Sequence, residues 1–157
     1  GSTSGTSTGT TGIVSGTTYA IIARNSGKAL DVVSKSTAEG ANIQQWTYYA
    51  TPNQRWVVTY LGNGYYKIKS VNSGRLVSLS SKNYSADGDN VLQLADFNSD
   101  TQLWQIADVG NGYYKIINKY SGKGLDVQGG TSSTGNGVNV QQWTYFATTN
   151  QQWQFKK

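Results

Sequence analysis

The feature that most constrains this chain is an internal repeat with a period of about 48 residues. Three segments of equal length align with one another and end in tryptophan: QQWTYYATPNQRW (residues 44–56), LQLADFNSDTQLW (92–104) and QQWTYFATTNQQW (141–153). The first and third segments share ten of their thirteen residues, whereas the second shares only three with the first. Positions that all three repeats keep are those that the scaffold needs. Positions that only the second repeat has lost are candidates for function.

The repeat predicts either an open array of units or a closed ring. No unit has an obvious polar cap, and a ring is favoured because an open stack would expose apolar ends. Gly-Asn-Gly turns predict hairpins over residues 56–70 and 104–118, and further strands are expected over residues 19–24, 29–34 and 42–46 and at their counterparts. No stretch keeps the periodicity of an amphipathic helix for long. We therefore predict an all-β fold with about twelve strands, four in each repeat.

The domain organisation follows from length and composition. A chain of 157 residues fits one domain, and its five tryptophans and eleven tyrosines can bury large areas in a core. Residues 1–14 are dominated by Gly, Ser and Thr, which predicts a flexible linker. We assign residues 15–157 to the folded domain, with repeats at about 15–62, 63–110 and 111–157.

Several classes of function are disfavoured by composition. The net charge is +5, but the basic residues are scattered rather than clustered, so we expect no nucleic-acid partner. No apolar run reaches the length of a membrane span. The chain has no His or Cys and a single Glu, and Asp31 and Asp126 fall in different repeats, so we do not expect paired acid–base catalysis. We expect no catalytic residue, no cofactor and no metal, and we interpret residues 87–89 (Asp-Gly-Asp) as a surface turn rather than a calcium loop.

Gln-x-Trp triplets end the three repeats, at residues 54–56, 102–104 and 151–153, and LDV and QQW tracts precede two of them. With these motifs in register, the chain resembles the ricin B-chain type lectins, also called carbohydrate-binding module family 13, over about residues 15–157. The resemblance implies a β-trefoil, which is a six-stranded barrel capped by three hairpins. It also implies one potential sugar pocket in each repeat.

The resemblance supplies candidate sugar-binding residues by position. In repeat one they are Asp31, Gln44, Trp46, Asn53 and Gln54, and in repeat three they are Asp126, Gln141, Trp143, Asn150 and Gln151. A flat tryptophan ring can cover the apolar face of a pyranose, a carboxylate accepts strong hydrogen bonds from hydroxyls, and amides both donate and accept. Repeat two has Ser78, Leu92, Leu94 and Thr101 at these positions and keeps only Gln102, so we expect its pocket to be lost.

Other positions of the repeat are assigned by what the second repeat keeps. Trp56, Trp104 and Trp153 are predicted to be core residues, as are the aromatics Tyr49, Phe97 and Phe146. Gln45, Gln93 and Gln142 survive in every repeat and are predicted to be structural, bonding the backbone. Tyr48 and Tyr145 are replaced by Asp96 in repeat two. Because aspartate is rarely buried, we predict that these two tyrosines form either a second edge of the pocket or a subsite for a neighbouring sugar.

The function favoured by these observations is non-catalytic binding of a polysaccharide or oligosaccharide. The chain would target a linked enzyme, such as a glycoside hydrolase, to its polymer, with galactose-type or pentose (xylan or arabinan) ligands. We expect a secreted, monomeric domain with two binding sites. The alternative is a β-trefoil that binds protein, as an inhibitor or an assembly module, since the fold does not determine the function.

Overall fold

The computed structural model describes residues 12–80 and 84–157. Within these residues the chain forms strands joined by turns: β1 (Thr17–Ala23), β2 (Ala29–Val32), β3 (Ile43–Trp46), β4 (Trp56–Gly62), β5 (Tyr65–Ser70), β6 (Leu76–Leu79), β7 (Val91–Leu94), β8 (Trp104–Gly110), β9 (Tyr113–Asn118), β10 (Gly124–Val127), β11 (Val140–Trp143) and β12 (Trp153–Lys156). Four short 3-10 turns complete the described secondary structure: Val33–Lys35, Pro52–Gln54, Asp100–Gln102 and Thr149–Gln151. The all-β prediction is confirmed.

Six of the strands close a barrel. Strand β1 pairs with β4, β4 with β5, β5 with β8, β8 with β9, β9 with β12, and β12 with β1, always antiparallel. The other six form three hairpins, β2–β3, β6–β7 and β10–β11, one from each repeat. Closure leaves the barrel without free edges, as the ring argument requires. This is the predicted β-trefoil.

The Gly-Asn-Gly turns form the two predicted hairpins, β4–β5 and β8–β9. At their tips Asn63 and Gly64 have φ of 57° and 88°, and Asn111 and Gly112 have 58° and 85°, the left-handed pairs that tight hairpin turns need. The strand predicted over residues 29–34 is wrong at its end. Strand β2 stops at Val32, because Ser34 turns the chain with a φ of 57°.

The barrel core is built on the tryptophan that closes each repeat. Trp56, Trp104 and Trp153 have no exposed surface, which confirms their predicted core role. Each indole Nε1–H donates to a backbone carbonyl of the hairpin strand in its own repeat, at Leu30, Val77 and Leu125 over 3.2, 2.9 and 3.1 Å. The rings therefore fill the core and tie each hairpin to the barrel without leaving a buried polar group unpaired.

Three glutamines join each repeat to the next around the pseudo-threefold axis. Gln45 donates to the carbonyls of Ser133 and Gly135, Gln93 to Ser36 and Ala38, and Gln142 to Tyr84 and Ala86. Their structural role, predicted from their presence in all three repeats, is confirmed. Asn42, Asn90 and Asn139 form a second ring, in which each side-chain amide donates to the next carbonyl over 2.7–2.9 Å.

The prediction that Tyr49, Phe97 and Phe146 are core residues is wrong. These rings are 66%, 51% and 65% exposed. Each precedes a residue in the left-handed region (φ of 58–61°), in the loop that follows a hairpin. The backbone N–H of each aromatic donates to the Gln-x-Trp glutamine of its repeat, which holds the loop with the ring facing outward.

The start of the chain contributes to the fold before the predicted domain boundary. Ile13 is 2% exposed and belongs to the main core, and the backbone N–H of Val14 donates to the Tyr19 hydroxyl over 3.0 Å. Both residues fall in the predicted linker, so its last part packs against the barrel. Residues 1–11 of that linker lie outside the described residues.

Candidate functional site

A buried carboxylate forms the centre of the candidate site in repeat one. Asp31, on β2, is 5% exposed. Its Oδ1 accepts a hydrogen bond from Gln44 over 3.0 Å, and its Oδ2 accepts from Asn53 and Gln54 over 3.2 and 2.8 Å. No cation is within ion-pair distance among the described residues, so the direct contacts to this carboxylate come from amide groups.

Repeat three contains the same arrangement. Asp126, on β10, is also 5% exposed. Gln141 donates to its Oδ1 over 3.1 Å, and Asn150 and Gln151 donate to its Oδ2 over 3.3 and 2.9 Å. Each of these distances differs by about 0.1 Å between the two sites, so the same hydrogen-bonded arrangement occurs in both repeats.

Hairpin register and a 3-10 turn bring these side chains together. Asp31 lies directly opposite Gln44 across the β2–β3 ladder, and Asn53 and Gln54 lie in the turn that precedes β4. Their amides have second partners in the backbone, since Asn53 also donates to Val32 and Gln54 to Thr47. Gln44 has Asp31 as its single hydrogen-bond partner among the described side-chain contacts. Its amide is therefore the one most easily released.

The two carboxylates are held at an energetic cost. Burial raises the pKa of the Asp31 and Asp126 carboxyls above the ordinary value of 3.8, against the opposing effect of the three amide hydrogen bonds on each. Nearby charges then differ between the sites. The charge of Lys35 favours the ionised form of Asp31 and lowers its pKa, whereas the charge of Asp87 raises the pKa of Asp126.

An exposed tryptophan stands beside each carboxylate. Trp46 and Trp143, the last residues of β3 and β11, are 37% and 38% exposed, in contrast to the fully buried tryptophans of the core. The edge of each ring lies against a glycine of the neighbouring repeat, Gly137 for Trp46 and Gly88 for Trp143. Each ring is thus supported at one edge and partly exposed, which suits a stacking platform.

Both constellations open into cavities. The cavity of repeat one has a volume of about 480 Å³ and is lined by Asp31, Gln44, Trp46, Asn53 and Gln54, with Val33, Ser34, Lys35, Tyr49 and Thr51. The cavity of repeat three is about 560 Å³ and is lined by Asp126, Gln141, Trp143, Asn150 and Gln151, with Gln128, Gly129, Gly130, Thr131, Phe146 and Thr148. The structure therefore brings together ten of the twelve predicted site residues.

Tyr48 and Tyr145 are the two that it does not. Neither ring lines either of these two cavities. Tyr48 packs on Ala20, Ile22 and Ala29, and its hydroxyl accepts from Arg55 over 3.1 Å. The predicted second edge of the pocket is instead supplied by the next residue along the chain, Tyr49 in repeat one and its counterpart in repeat three.

Tyr145 lies with Lys115 over its ring at 5.3 Å, and its hydroxyl accepts from Gln152. In repeat two the equivalent Asp96 forms an ion pair with Lys67 over 2.6 Å. A lysine on the adjacent strand can be matched by an aromatic face or by a carboxylate. Asp96 is therefore explained by the neighbouring Lys67 and does not indicate an open pocket. For this reason the prediction that Tyr48 and Tyr145 form an edge of the pocket is wrong.

Repeat two lacks the carboxylate and two of the three amides that form the floor of the other two pockets. Ser78 is fully buried and its hydroxyl donates to the Leu79 carbonyl, while Leu92 lies opposite it in the ladder. Gln102 keeps its scaffold contacts with Ala95 and Phe97 but has no carboxylate to bond. The fold of the repeat is intact without the polar constellation.

Tyr49, Phe146 and Lys35 are cavity-lining residues that the sequence analysis did not assign to the site. The two aromatics were hidden because an aromatic at every repeat is typical of a core. A usable signal was Asn98, which follows the equivalent aromatic in repeat two, because Asn tolerates the left-handed backbone of a turn. Lys35 was missed because the strand predicted over residues 29–34 placed no turn beside Asp31, whereas the structure turns the chain at Val33–Lys35.

Two further features concern larger classes of site. Within residues 12–80 and 84–157, no helix is both long and apolar enough to cross a membrane. The same part of the chain contains no group of three or more His, Cys, Asp or Glu residues placed to hold a metal ion. Asp87, in the turn proposed for residues 87–89, accepts hydrogen bonds from Thr144 and pairs with Lys123, so it joins two repeats.

Comparison with known proteins identifies the class. The ricin-type β-trefoil lectin domain-like family model matches residues 10–94 and 100–157. The chain therefore belongs to that family, and its fold is that of a ricin-type β-trefoil lectin domain. No curated protein sequence matches the chain.

Solved structures agree with the family. The designed threefold-symmetric protein ThreeFoil is 43% identical, with a TM-score of 0.84 over 89% of this chain and 98% of its own. An exo-β-1,3-galactanase from Clostridium thermocellum is 37% identical with the same TM-score, but this chain spans only 30% of it. A ricin B-like lectin from Macrolepiota procera, solved in complex with lactose, shares the fold at 23% identity, with a TM-score of 0.79 over 94% of this chain and 99% of its own.

Proposed function

We propose that this chain is a non-catalytic carbohydrate-binding module with one sugar pocket in repeat one, one in repeat three and none in repeat two. The observation that carries the proposal is the duplicated constellation. In both cavities a buried carboxylate, held by three amide groups, lies beside an exposed tryptophan. Neither the core nor the joints between repeats need the carboxylate, the exposed tryptophan or two of the three amides, since repeat two folds with only Gln102 of this set.

Each group has a physical role in holding a sugar. Trp46 covers the C–H face of a pyranose, and Tyr49, which lines the same cavity, limits how the ring can tilt. A carboxylate has about four acceptor positions, and Asp31 uses three on amides, so it keeps about one for a hydroxyl. A second acceptor position of Asp31 becomes free when the Gln44 side chain turns away. This movement breaks one hydrogen bond, because the Gln44 amide has no other partner among the described side-chain contacts. Repeat three offers the same positions.

The supported ligand class is galactose-type sugars, with the pentoses of xylan and arabinan as the second set. Among the similar structures, one lectin is described in complex with lactose and one enzyme is an exo-β-1,3-galactanase. Neither fact assigns a ligand to this chain, but both favour testing galactose-containing glycans first.

The module is proposed to act beside a catalytic domain in a secreted protein. Support comes from the galactanase, of which this chain spans 30%, and from the Gly/Ser/Thr composition of residues 1–14. We further propose a monomer that carries both pockets. A single site of this kind binds at about 1 mM, or about −4 kcal/mol, and two sites on one chain raise the apparent affinity for a polymer that reaches both.

Isothermal titration with galactose, lactose, and oligomers of xylose and arabinose tests this proposal. We expect about two sites per chain. The double variant Asp31→Ala and Asp126→Ala should remain folded and lose detectable binding, a loss of at least about 100-fold, because charged hydrogen-bond acceptors contribute most. Ser78→Ala is the matched control, since it changes the same position in repeat two and should leave two sites.

Retained binding by the folded double variant would contradict the site assignment. Absence of binding to every glycan by the wild-type domain would contradict the sugar-binding function. It would direct the search to the protein-binding alternative, tested by protease inhibition and by pull-down.

A further inference from the structure

The two pockets differ most in the loop that follows the first hairpin strand. In repeat one this loop contains Ser34 and Lys35, with φ of 57° and 55°, and in repeat three the equivalent residues are Gly129 and Gly130, with φ of 96° and 90°. The equivalence is set by the backbone, because Val33 and Gln128 each donate to the asparagine carbonyl that precedes the second strand. Glycine adopts such angles freely, whereas other residues pay for them.

Repeat one thus keeps a lysine in a conformation that repeat three gives to glycine. The turn is held from outside the repeat, because the side chain of Asn72 donates to the Lys35 carbonyl over 2.9 Å. Strained non-glycine residues held by their surroundings are found preferentially at binding sites. The strain points to a use for the Lys35 side chain.

Lys35 lines the cavity of repeat one together with Asp31 and Trp46, and it is exposed. None of the ion pairs formed within residues 12–80 and 84–157 includes it. Its charge reaches the floor of the pocket, where it lowers the pKa of Asp31. Its ammonium group is therefore both near the pocket and free to pair with a ligand.

The corresponding wall of the pocket in repeat three carries no charge. It is formed by Gln128, Gly129, Gly130 and Thr131. The charge that reaches the floor there is that of Asp87, which acts on Asp126 in the opposite direction. The two pockets share the carboxylate floor and the tryptophan platform. They differ in the electrostatic potential at the rim, which is the loop after the first hairpin strand (Ser34 and Lys35 in repeat one, Gly129 and Gly130 in repeat three). The equivalent of Lys35 in repeat two, Lys82, lies outside the described residues.

We propose that the pocket of repeat one selects sugars that carry a carboxylate, namely uronic acid residues, whereas the pocket of repeat three takes their neutral counterparts. This inference rests on the proposed function. A pyranose that bonds the Asp31 carboxylate through its C2 and C3 hydroxyls carries C5 on the opposite edge of its ring. In a uronic acid the substituent on C5 is a carboxylate, and the Lys35 ammonium group, which lines the same cavity, can pair with it.

An ammonium–carboxylate pair at this rim has a modest expected effect. At a solvent-exposed distance of about 4 Å such a pair corresponds to about a fivefold gain in affinity. The gain depends on salt, because the pair is screened at high ionic strength. The excess of five positive charges on the whole chain favours approach of an anionic polymer but cannot distinguish the pockets.

A proton–nitrogen NMR titration of the labelled chain tests the inference site by site. The indole N–H signals of Trp46 and Trp143, assigned through Trp→Phe variants, each report on their own pocket. The probes are methyl galactoside with methyl galacturonoside, and methyl xyloside with methyl glucuronoside. At low salt we expect the Trp46 signal to give a Kd about fivefold lower for the uronide of at least one pair, and Trp143 to show no such gain.

Two variants of the lysine and one control assign the effect. Lys35→Gln should abolish the uronide gain at Trp46. Lys35→Gly, which copies repeat three, should abolish it as well and raise Tm, so a folding defect cannot explain the loss. Lys69→Gln removes the same charge from an exposed lysine on β5 that lines neither cavity, and it should keep the gain.

Neutral sugar binding at Trp46 without a uronide gain would overturn this inference and leave the proposed function intact. A gain that survives both Lys35 variants would overturn it too. If no sugar of either kind shifts either tryptophan signal, the proposed function and this inference are both wrong.

Discussion

Repeats one and two are two versions of the same structural unit, and one of them has lost its pocket. Both keep the buried indole that bonds the hairpin, at Trp56 and Trp104, and both keep the glutamine that joins neighbouring repeats, at Gln45 and Gln93. What differs is the floor, where a carboxylate held by amides is replaced by Ser78 and aliphatic side chains. The contacts that build the trefoil are therefore separable from those that build the site.

This separation teaches why a repeat can lose its pocket without losing its fold. Burial of Asp31 raises its pKa, so ionisation of this carboxyl at neutral pH lowers the stability of the fold. Ser78 carries no such cost. A pocket of this kind persists where a ligand selects for it, and it can be lost where none does.

The largest effect is expected for the scaffold glutamines. Gln45→Ala and Gln93→Ala each remove two donated hydrogen bonds and one accepted from a serine hydroxyl, and all the atoms lie in a fully buried side chain. We expect each change to lower the free energy of unfolding by about 3 kcal/mol, equally in both repeats. Urea denaturation measures the loss.

Gln105→Ala on β8 is the control, because that side chain is only half-buried and should change stability by less than about 0.5 kcal/mol. A much smaller loss for Gln93 than for Gln45 would show that repeat two has relaxed in its scaffold as well as in its pocket.

The next effect tests whether the pocket can be restored to repeat two. Ser78→Asp alone places a carboxylate in a fully buried position where Gln102 is the one remaining amide of the set, so we expect a loss of about 3 kcal/mol. Adding Leu92→Gln, Leu94→Trp and Thr101→Asn restores the missing donors and the platform. Most of the stability should return, and titration with the best sugar should give three sites instead of two.

Leu94→Trp alone is the matched control, since a platform without a floor should leave two sites. If the fourfold variant is folded and still binds two sugars, then residues other than these four and Gln102 define the pocket, and the loop after the first hairpin strand is the first to examine.

Much of the fold and of the site floor could be predicted, because the repeat supplies its own comparison. A loss in repeat two of Asp, Gln, Trp and Asn together separates site from scaffold, and the residues concerned do line the cavities. The same logic failed for Tyr49 and Phe146. A residue kept in all repeats can serve a loop that every repeat needs, and whether a ring points inward depends on one left-handed residue after it.

The rim was beyond prediction for a different reason. Ser34 and Lys35 have no intrinsic preference for the left-handed region, and the turn there is held by Asn72 from another repeat. A contact between residues that are distant in sequence overrides local propensity. Tyr48 illustrates the same limit, because the role of its position depends on the residue that the neighbouring strand brings beside it.

The smallest expected effect is the pH dependence of the two site carboxyls. As pH falls, their contribution to stability should rise while sugar binding should weaken. The pKa of Asp31 and Asp126 is raised in the folded protein by burial, so the folded state binds protons more readily than the unfolded state does. Stability from these two groups therefore increases as pH falls from the raised folded pKa toward 3.8. A double variant with Asp31→Ser and Asp126→Ser, which copies repeat two, should lack this increase when the free energy of unfolding is compared at pH 7 and pH 4.

Sugar binding should change in the opposite direction, because a protonated carboxyl loses acceptor strength. At pH 3.8 more than half of each carboxyl is protonated, so binding measured by titration should fall to less than about half of its value at pH 7. Binding that stays constant down to pH 3.8 would show that the sugar does not use the ionised carboxylate, and it would remove the main physical distinction between the two kinds of repeat.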